Sequence, residues 1–323
     1  MKTDEEASLL KNWLVIVNPN AGARKGQKDW PKISAILGNE GIEFTYKLTS
    51  HRGHATELSK EYILKGFKKI IVVGGDGTLN EVVNGIFRQE KYPSTDITLG
   101  MVMVGTGNDW GKTFGIPVDY EKAVRLIKRG RTFIQDAGRV SYFDGEQHSR
   151  HFINMSGIGY DGLVAYKTNV MKEKGKGGTM AYLYNLLLGL FEYRQPTIAI
   201  DIDGENVFTG RVFSMSVGIC KYNGGGMMQC PKAIPDDGIL DITLIKFIHK
   251  YKALVHINKL YSGGFENLSF VRLFKGKNIS ITNKQGMMMR LETDGESLGQ
   301  APYHFEVVPG SLKVIIDAVE PPS

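Results

Sequence analysis

The chain has 323 residues, 42% hydrophobic and 23% charged, so it is long enough for about two domains and has the composition of a globular protein. Its net charge of +6 indicates an anionic partner, which could be a nucleotide, a nucleic acid or an acidic membrane surface. The charged start MKTDEE is unlike a secretory signal, and no apolar run reaches the roughly 20 residues that cross a bilayer. The two cysteines lack zinc-type spacing. We therefore expect a cytoplasmic protein.

The first 130 residues alternate between strand and helix patterns. We predict strands at 13–18, 44–49, 69–73 and 98–104, and helices at 29–37, 55–64, from 78 onward and at 120–128. Strands separated by helices of this length indicate a parallel sheet of the doubly wound kind.

From about residue 135 the pattern changes to alternation with a period of two, as in 195–218 and 278–283, which indicates an antiparallel β-sandwich. Two helical stretches interrupt it, at 180–193 and 251–262. The predicted domains are therefore an α/β domain over 1–135 and a second, antiparallel β-sandwich domain over 136–308. Residues 309–323 are predicted to return to the first domain.

The segment IIVVGGDGTLNEVVNG, residues 70–85, ends a buried strand on three glycines. Glycines permit a sharp turn and a close approach of backbone N–H groups to a ligand, and the spacing of Thr78 and Glu81 fits a capping box at a helix start. Phosphate binds well at such a helix start, and Asp76 would then need a bridging divalent cation. The alternative is a tight strand–helix turn in which backbone amides satisfy Asp76. The segment is neither a P-loop nor a G-x-G-x-x-G turn.

Four segments together resemble the diacylglycerol kinase catalytic domain family of bacterial lipid kinases, which is related to sphingosine and ceramide kinases. They are NPNAG at 18–22, GGDGTLNEVVNG at 74–85, VGTGNDWGKTFGIP at 104–117 and AIPDDGILDITLI at 233–245. The second alone would be weak, because NAD kinases share Gly-Gly-Asp-Gly-Thr and a related fold. The set spans nearly the whole chain.

The resemblance implies an NAD-kinase-like nucleotide-binding domain, a β-sandwich domain for the lipid substrate and a site between them. The implied reaction is transfer of the ATP γ-phosphate to a lipid hydroxyl, with diacylglycerol as the expected acceptor and phosphatidic acid as the product. The residues implied to line the nucleotide are Asn18, Pro19, Asn20, Ala21, Gly22, Thr49, Gly74, Gly75, Asp76, Gly77, Thr78, Leu79, Asn80 and Thr106.

The resemblance also implies Mg²⁺ in two places. Asp76 is expected to act near the phosphates and Mg²⁺, whereas Asp237 and the carbonyl groups of Ile234 and Ile239 match a second, structural Mg²⁺ site. Without the resemblance, PDDGI is better interpreted as an acidic turn between strands.

The catalytic base is expected within an Asp-Gly-Glu tripeptide near the C-terminus. The sequence has three copies, at 144–146, 203–205 and 294–296. Each could be a hairpin turn, and the flanking residues favour that interpretation for the first two. The third has the position that the family resemblance implies, so we predict Glu296 as the base, with Asp294 beside it.

Other features are open to two interpretations. His51 and His54 could bind a metal, although a solvated helix start is favoured. Residues 167–191 place lysines before an apolar helix, which could be an interfacial membrane anchor or a loop followed by a core helix.

We expect transient peripheral contact of this protein with a membrane and no nucleic-acid partner, and a homodimer is allowed. The alternatives to a diacylglycerol kinase are a kinase for another lipid such as a sphingoid base or ceramide, an NAD kinase, and a catalytically silent lipid- or nucleotide-binding module.

Overall fold

The computed structural model describes residues 12–173, 189–256, 258–262 and 264–317. The chain divides into two compact units. The first comprises Met1–Gln135 with Gly310–Ser323, and the second comprises Asp136–Pro309. The sequence had placed the two boundaries after residues 135 and 308.

The first unit contains a parallel sheet with helices between its strands. Its strands are β1 (Trp13–Val17), β2 (Phe44–Leu48), β3 (Lys69–Gly74) and β4 (Thr98–Met103), and its helices are α1 (Ala21–Asn39), α2 (His54–Leu64), α3 (Asp76–Arg88), α4 (Asp109–Thr113) and α5 (Tyr120–Arg129). The strand order is β2-β1-β3-β4, all parallel, and Lys313 and Val314 of the chain's last strand pair in parallel with Thr98 and Leu99 of β4. This is the predicted doubly wound sheet.

Strands β1, β3 and β4 read as continuous apolar runs because both faces of the sheet are covered. Four consecutive residues of β1 and five of β3 are buried, as expected for parallel strands packed on both faces by helices. These strands hold their carboxyl ends in fixed register, which positions the loops that follow them.

Helix α1 begins earlier than predicted and contains a kink. Gly22, Ala23 and Arg24 all have left-handed backbone conformations inside it, with φ between 57° and 70°. Gly22 is required at this kink, because a Cβ there would lie 2.0 Å from the carbonyl oxygen of Val104. The helical pattern of the sequence therefore showed only the regular part of the helix.

The predicted capping box at Thr78 and Glu81 is wrong. Helix α3 begins at Asp76, with Gly75 as its N-cap and no side-chain cap. The Glu81 carboxylate instead accepts hydrogen bonds from the backbone N–H groups of Gly53 and Ala55, at 2.8 and 3.1 Å. It thus satisfies the exposed amides at the start of α2, the neighbouring helix.

The second unit consists mainly of antiparallel strands. They are β5 (Thr132–Asp144, which begins in the first unit), β6 (Glu146–Phe152), β7 (Met155–Gly159), β8 (Thr197–Ile202), β9 (Glu205–Gly218), β10 (Tyr222–Asn223), β11 (Met227–Met228), β12 (Leu240–Lys246), β13 (Val271–Gly276), β14 (Asn278–Asn283), β15 (Leu291–Thr293), β16 (Glu296–Ser297) and β17 (Gln300–Ile315, which ends in the first unit).

Strand β9 belongs to two sheets, which makes the sandwich. Its first half pairs with β8, which in turn pairs with β14, whereas its second half pairs with β7 and β12. Strand β15 pairs with β7, and β13 pairs with β12. The predicted antiparallel β-sandwich is confirmed.

Three helices accompany the sandwich: α6 (Tyr160–Glu173), α7 (Lys250–His256) and α8 (Lys259–Ser262). The last two replace the single helix predicted at 251–262. Of the helix predicted at 180–193, the first nine residues lie outside the described residues, and 189–192 are helical. In the part of the chain that the structure describes, no helix is long and apolar enough to cross a membrane.

Candidate functional site

Three loops of the first unit meet where β1, β3 and β4 end. The N–H of Asn18 donates to the carbonyl of Val73 at 2.9 Å, and the N–H of Val104 donates to the carbonyl of Gly74 at 2.9 Å. Because adjacent parallel strands end at the same edge of a sheet, the predicted nucleotide residues of the three loops lie together there. Ligands of open α/β sheets bind at this edge.

The glycines of the central loop allow it to pack closely against the next loop. A Cβ on Gly75 would lie 3.1 Å from the Cα of Gly105, and a Cβ on Gly105 would lie 2.6 Å from the Cα of Gly75. A Cβ on Gly74 would meet the side chain of Thr78 at 2.7 Å. The missing side chains therefore allow two loops to pack backbone to backbone.

Asp76 lies at the start of α3, and its carboxylate is bound to the next loop. Its two oxygens accept the backbone N–H groups of Asp109 and Trp110, at 3.1 and 3.2 Å. This is the amide-satisfied arrangement that the sequence left as an alternative.

Asp109 is a site residue that the sequence analysis missed. A Cβ on Gly107 would lie 3.3 Å from Oδ2 of Asp76 and 3.4 Å from Oδ2 of Asp109, so the two carboxylates approach one another across this glycine. Lys112 lies 3.5 Å from the other Asp109 oxygen. Carboxylate oxygens suit Mg²⁺, so these two residues are candidates to hold the expected cation. The sequence feature that could have identified Asp109 is its position as the acidic residue of the GTGND segment.

The other predicted nucleotide residues differ in how accessible they are. Asn18 donates from Nδ2 to Oγ1 of Thr78 at 2.9 Å, which links the first and second loops. Thr49 follows β2 at the same edge, and Thr106 is exposed. Leu79 and Asn80 are fully buried in α3. Their predicted part in nucleotide binding would therefore be indirect, through the position of this helix.

In the second unit, the third Asp-Gly-Glu forms the turn between β15 and β16, so all three copies are hairpin turns. The third differs in its anchoring. The buried carboxylate of Asp294 accepts the backbone N–H groups of Ile153, Asn154 and Met155 at 2.9–3.1 Å. Glu296, two residues on, is half-buried. The turn that presents Glu296 is therefore fixed to the neighbouring β6–β7 segment.

Glu292 is a buried carboxyl group that the sequence analysis did not identify. Its Oε2 accepts the N–H of Gly295 at 2.9 Å, and its Oε1 accepts Nδ2 of Asn223 at 3.0 Å. Burial raises the pKa of Glu292 to about 8, with a further contribution from Asp161, although the bond from Gly295 lowers it. Glu292 is thus bonded directly to the turn that carries Glu296.

Asp161 approaches Glu292 across Gly157, where a Cβ would lie 2.8 Å from Cβ of Asp161 and 2.8 Å from Oε1 of Glu292. Its carboxylate accepts Oγ of Ser214 at 2.7 Å. Burial raises the pKa of Asp161 to about 6, against the lowering effect of the serine hydroxyl groups. Only tertiary pairing of β7 with β15 brings these two acids together.

Asp161 also lines a cavity within the second unit. The walls are mostly apolar, with Val164, Leu190 and Phe265 among them, whereas Ser214, Ser216, Gln229 and Thr243 add polar groups. The enclosed volume is about 70 Å³. Sites for drug-sized ligands usually have about 300–1,000 Å³, so a longer ligand requires the walls to open.

The predicted second Mg²⁺ site contains an internal positive charge. Oδ1 of Asp237 accepts the N–H of Ile239 at 3.1 Å, and Nζ of Lys275 lies 3.6 Å from Oδ2 of Asp237 and 3.1 Å from Oδ2 of Asp241. A Mg²⁺ held by Asp237 and the Ile234 and Ile239 carbonyls would share this carboxylate with the ammonium group. The second site stays a prediction.

The two histidines considered from the sequence do come together. His51, His54 and Glu57 place ligand atoms within 4.8 Å of one another at the surface. However, Nδ1 of His54 accepts the N–H of Ser50 at 3.0 Å, so in the neutral ring Nε2 carries the proton and offers no lone pair. This bond favours the interpretation as a solvated helix start.

Comparisons with known proteins agree with the motif set. Residues 12–140 match the family model described as diacylglycerol kinase catalytic domain, and residues 154–316 match the YegS C-terminal NAD kinase beta sandwich-like domain. A diacylglycerol kinase of Staphylococcus carnosus is 31% identical over 291 residues, covering 90% of each chain. A solved structure described as a diacylglycerol kinase from Bacillus anthracis has a TM-score of 0.71 and 26% identity, covering 98% of both chains.

The similarity to an NADH kinase is limited to the fold. The structure of yeast NADH kinase complexed with NADH has a TM-score of 0.56 and 11% identity, and the match covers 96% of this chain and 84% of that one.

Proposed function

The chain belongs to the diacylglycerol kinase catalytic domain family, and we propose that it is an ATP-dependent lipid kinase that converts diacylglycerol to phosphatidic acid. The observation that carries the proposal is the convergence of the Asn18, Gly74–Thr78 and Gly105–Asp109 loops at one edge of a parallel sheet, with a carboxylate oxygen of Asp76 and one of Asp109 both next to Gly107. That edge offers backbone amides to a triphosphate and two carboxylates to its cation.

In the proposed reaction, the bond between the γ-phosphorus and the β,γ-bridging oxygen of ATP breaks, and a bond forms between the γ-phosphorus and the acceptor oxygen. ADP leaves, and Glu296 accepts the proton of the acceptor hydroxyl. Mg²⁺, held by Asp76 and Asp109, would offset phosphate charge when bound. The anchoring of Asp294 by three amides supports the role of Glu296, since a general base must lie at a fixed position.

For the acceptor, we propose the cavity of the second unit. Its apolar walls suit acyl chains, and its polar groups suit a glycerol head group with one free hydroxyl. Leu254 and Leu260 line the cavity from the short helices α7 and α8. Because the enclosed volume is only about 70 Å³, these side chains must move to admit a chain. A lipid acceptor also places the enzyme at a membrane surface during turnover.

The test is direct product analysis. The purified chain is incubated with ATP that carries an oxygen-isotope label in its γ-phosphate, with vesicles containing diacylglycerol, ceramide and sphingosine, and with NAD in the same tube. Mass spectrometry then identifies every labelled product, and an Asp76→Ala variant gives the background. Labelled phosphatidic acid as the main product supports the proposal. A labelled sphingolipid or labelled NADP as the main product contradicts it, as does the absence of any labelled lipid.

A further inference from the structure

A second concave feature of the second unit is basic. It is an open groove of about 620 Å³, and its lining includes Arg194, Arg211, Phe247, His249 and Lys250. Among the described residues, the lining includes two arginines, one lysine and one histidine but no aspartate or glutamate. Like charges brought together in a concave surface attract an anion.

The charges of this groove are not neutralised by the described residues around it. Arg194 has no ion pair within the described ranges, and the Arg211 guanidinium instead lies 4.2 Å from the Phe247 ring centroid. Lys250 donates to the backbone carbonyl of Phe191, which leaves its charge uncompensated. The nearby Glu192 pairs with Lys167 at 2.6 Å. The groove is therefore a cationic surface whose two arginines have no carboxylate partner among the described residues.

Large apolar side chains are exposed next to the groove. Helix α7 begins at Lys250 in the groove wall, and on the same helix Tyr251 is 61% exposed and Val255 70% exposed. Phe191, whose carbonyl binds Lys250, is 69% exposed. Aromatic and aliphatic groups beside arginine and lysine are the combination that binds the boundary between lipid head groups and acyl chains.

The same helix connects this surface with the apolar cavity. Ala253 and Leu254 of α7 line the cavity, as does Leu190, which precedes Phe191 in the chain. A membrane that covered Tyr251, Val255 and Phe191 would therefore lie next to residues of the cavity wall.

We propose that the groove formed by Arg194, Arg211, His249 and Lys250 binds the phosphodiester groups of anionic phospholipids, and that it docks the protein on a membrane together with the exposed side chains of Tyr251, Val255 and Phe191. This inference rests on the proposed function in one respect: a lipid acceptor is presented at a membrane surface. Arginine suits the occupant because its planar fork of N–H groups matches phosphate oxygens.

The test is binding and needs no turnover, so its outcome is independent of whether the chain is a kinase. Flotation with phosphatidylcholine vesicles, with and without phosphatidylglycerol, measures the partition coefficient of the purified chain. Each basic residue at an anionic surface contributes about five-fold to this coefficient. The double variant Arg194→Gln, Arg211→Gln should therefore bind phosphatidylglycerol vesicles about 30-fold more weakly than wild type, with an unchanged melting temperature.

A matched control loses the same two charges elsewhere. Lys60→Gln with Lys122→Gln, both exposed on helices of the first unit, should bind within about two-fold of wild type, because both arginines of the groove remain in this variant. Equal losses in both double variants would mean that only net charge matters and would overturn the proposal. Failure of the wild type to bind phosphatidylglycerol vesicles would also overturn it.

A third experiment distinguishes binding to a membrane from binding of a small anion. Glycerol 3-phosphate presents a similar phosphate without acyl chains, so a modest excess should not displace the protein from vesicles. Val255→Ser should weaken vesicle binding because it removes an apolar contact. Displacement by glycerol 3-phosphate, with Val255→Ser unchanged, would identify a site for small phosphate anions and refute the membrane surface.

Discussion

Replacing Glu292 by Gln should make the stability of the second unit less dependent on pH. Glu292 is 2% exposed, and burial raises its pKa from the ordinary 4.5 to about 8. The folded state therefore binds one proton more than the unfolded state between these two values. Stability falls with rising pH wherever the folded state holds the extra proton. The Glu292 contribution is fully present below pH 4.5 and is lost as the pH rises to about 8.

The size of the effect follows from the two pKa values. Each unit of pH within this window changes the free energy of unfolding by about 1.4 kcal/mol, with an upper limit of about 5 kcal/mol over the whole range. Between pH 5 and 7, wild type should lose about 3 kcal/mol more than Glu292→Gln. Asp161, whose pKa is also raised, is present in both proteins, so most of its own contribution cancels.

The assay must report on the second unit. The three tryptophans, at 13, 30 and 110, all lie in the first unit, so their fluorescence does not serve. Cys220 and Cys230 are both buried thiols of the second unit, and no disulfide joins them. A short pulse of N-ethylmaleimide at increasing urea, counted by mass spectrometry, gives the midpoint of their exposure at each pH.

Parallel loss of stability in wild type and Glu292→Gln between pH 5 and 7 would refute the reasoning, because it would mean that Glu292 is ionised in the folded state. A constant difference in the free energy of unfolding between the two proteins would not refute it, since the variant lacks the second acceptor oxygen at every pH.

Three further predictions concern the proposed chemistry. Asp76→Ala should reduce kcat below about a tenth of wild type in the ATP assay, because the cation bound to the phosphates loses one of its protein ligands. Near-normal turnover would contradict this. Glu296→Gln should lower kcat about 100-fold or more with ATP binding retained, whereas Glu146→Gln, on an exposed hairpin, should stay within a few-fold; the reverse pattern would reassign the base. Asp237→Ala should reduce the rise in melting temperature that Mg²⁺ produces in the absence of ATP, and equal rises in both proteins would leave PDDGI as a turn held by Lys275.

The sequence predicted those parts of the fold whose cause is local. The runs WLVIV and KIIVVG could be identified as buried strands because they are almost wholly apolar and end in turn residues. The capping box at Thr78 failed for a physical reason. The partners of Glu81 lie 28 and 26 residues away at the start of α2, and a local pattern carries no information about a helix that packs alongside.

The buried acids show the same limit at the site itself. Nothing in RLETDGE distinguishes Glu292 from an exposed strand residue, because its burial comes from the pairing of β15 with β7 and from Asn223 of another strand. Asp109 is the intermediate case: its motif was recognised, but its approach to Asp76 needed the contact of two loops at Gly107.

The three Asp-Gly-Glu tripeptides show why local geometry cannot identify a catalytic loop. Asp203 and Asp294 have nearly the same φ, 50° and 48°, and each is followed by a glycine of positive φ, so both turns satisfy the same hairpin rule. Asp203 also accepts backbone amides, from Lys277 and Asn278, but it is exposed. Asp294 makes its three amide bonds in a buried setting. Because hydrogen bonds shielded from water resist competition, the third turn alone has an anchor that can hold a neighbouring carboxylate at a fixed position, as a general base requires.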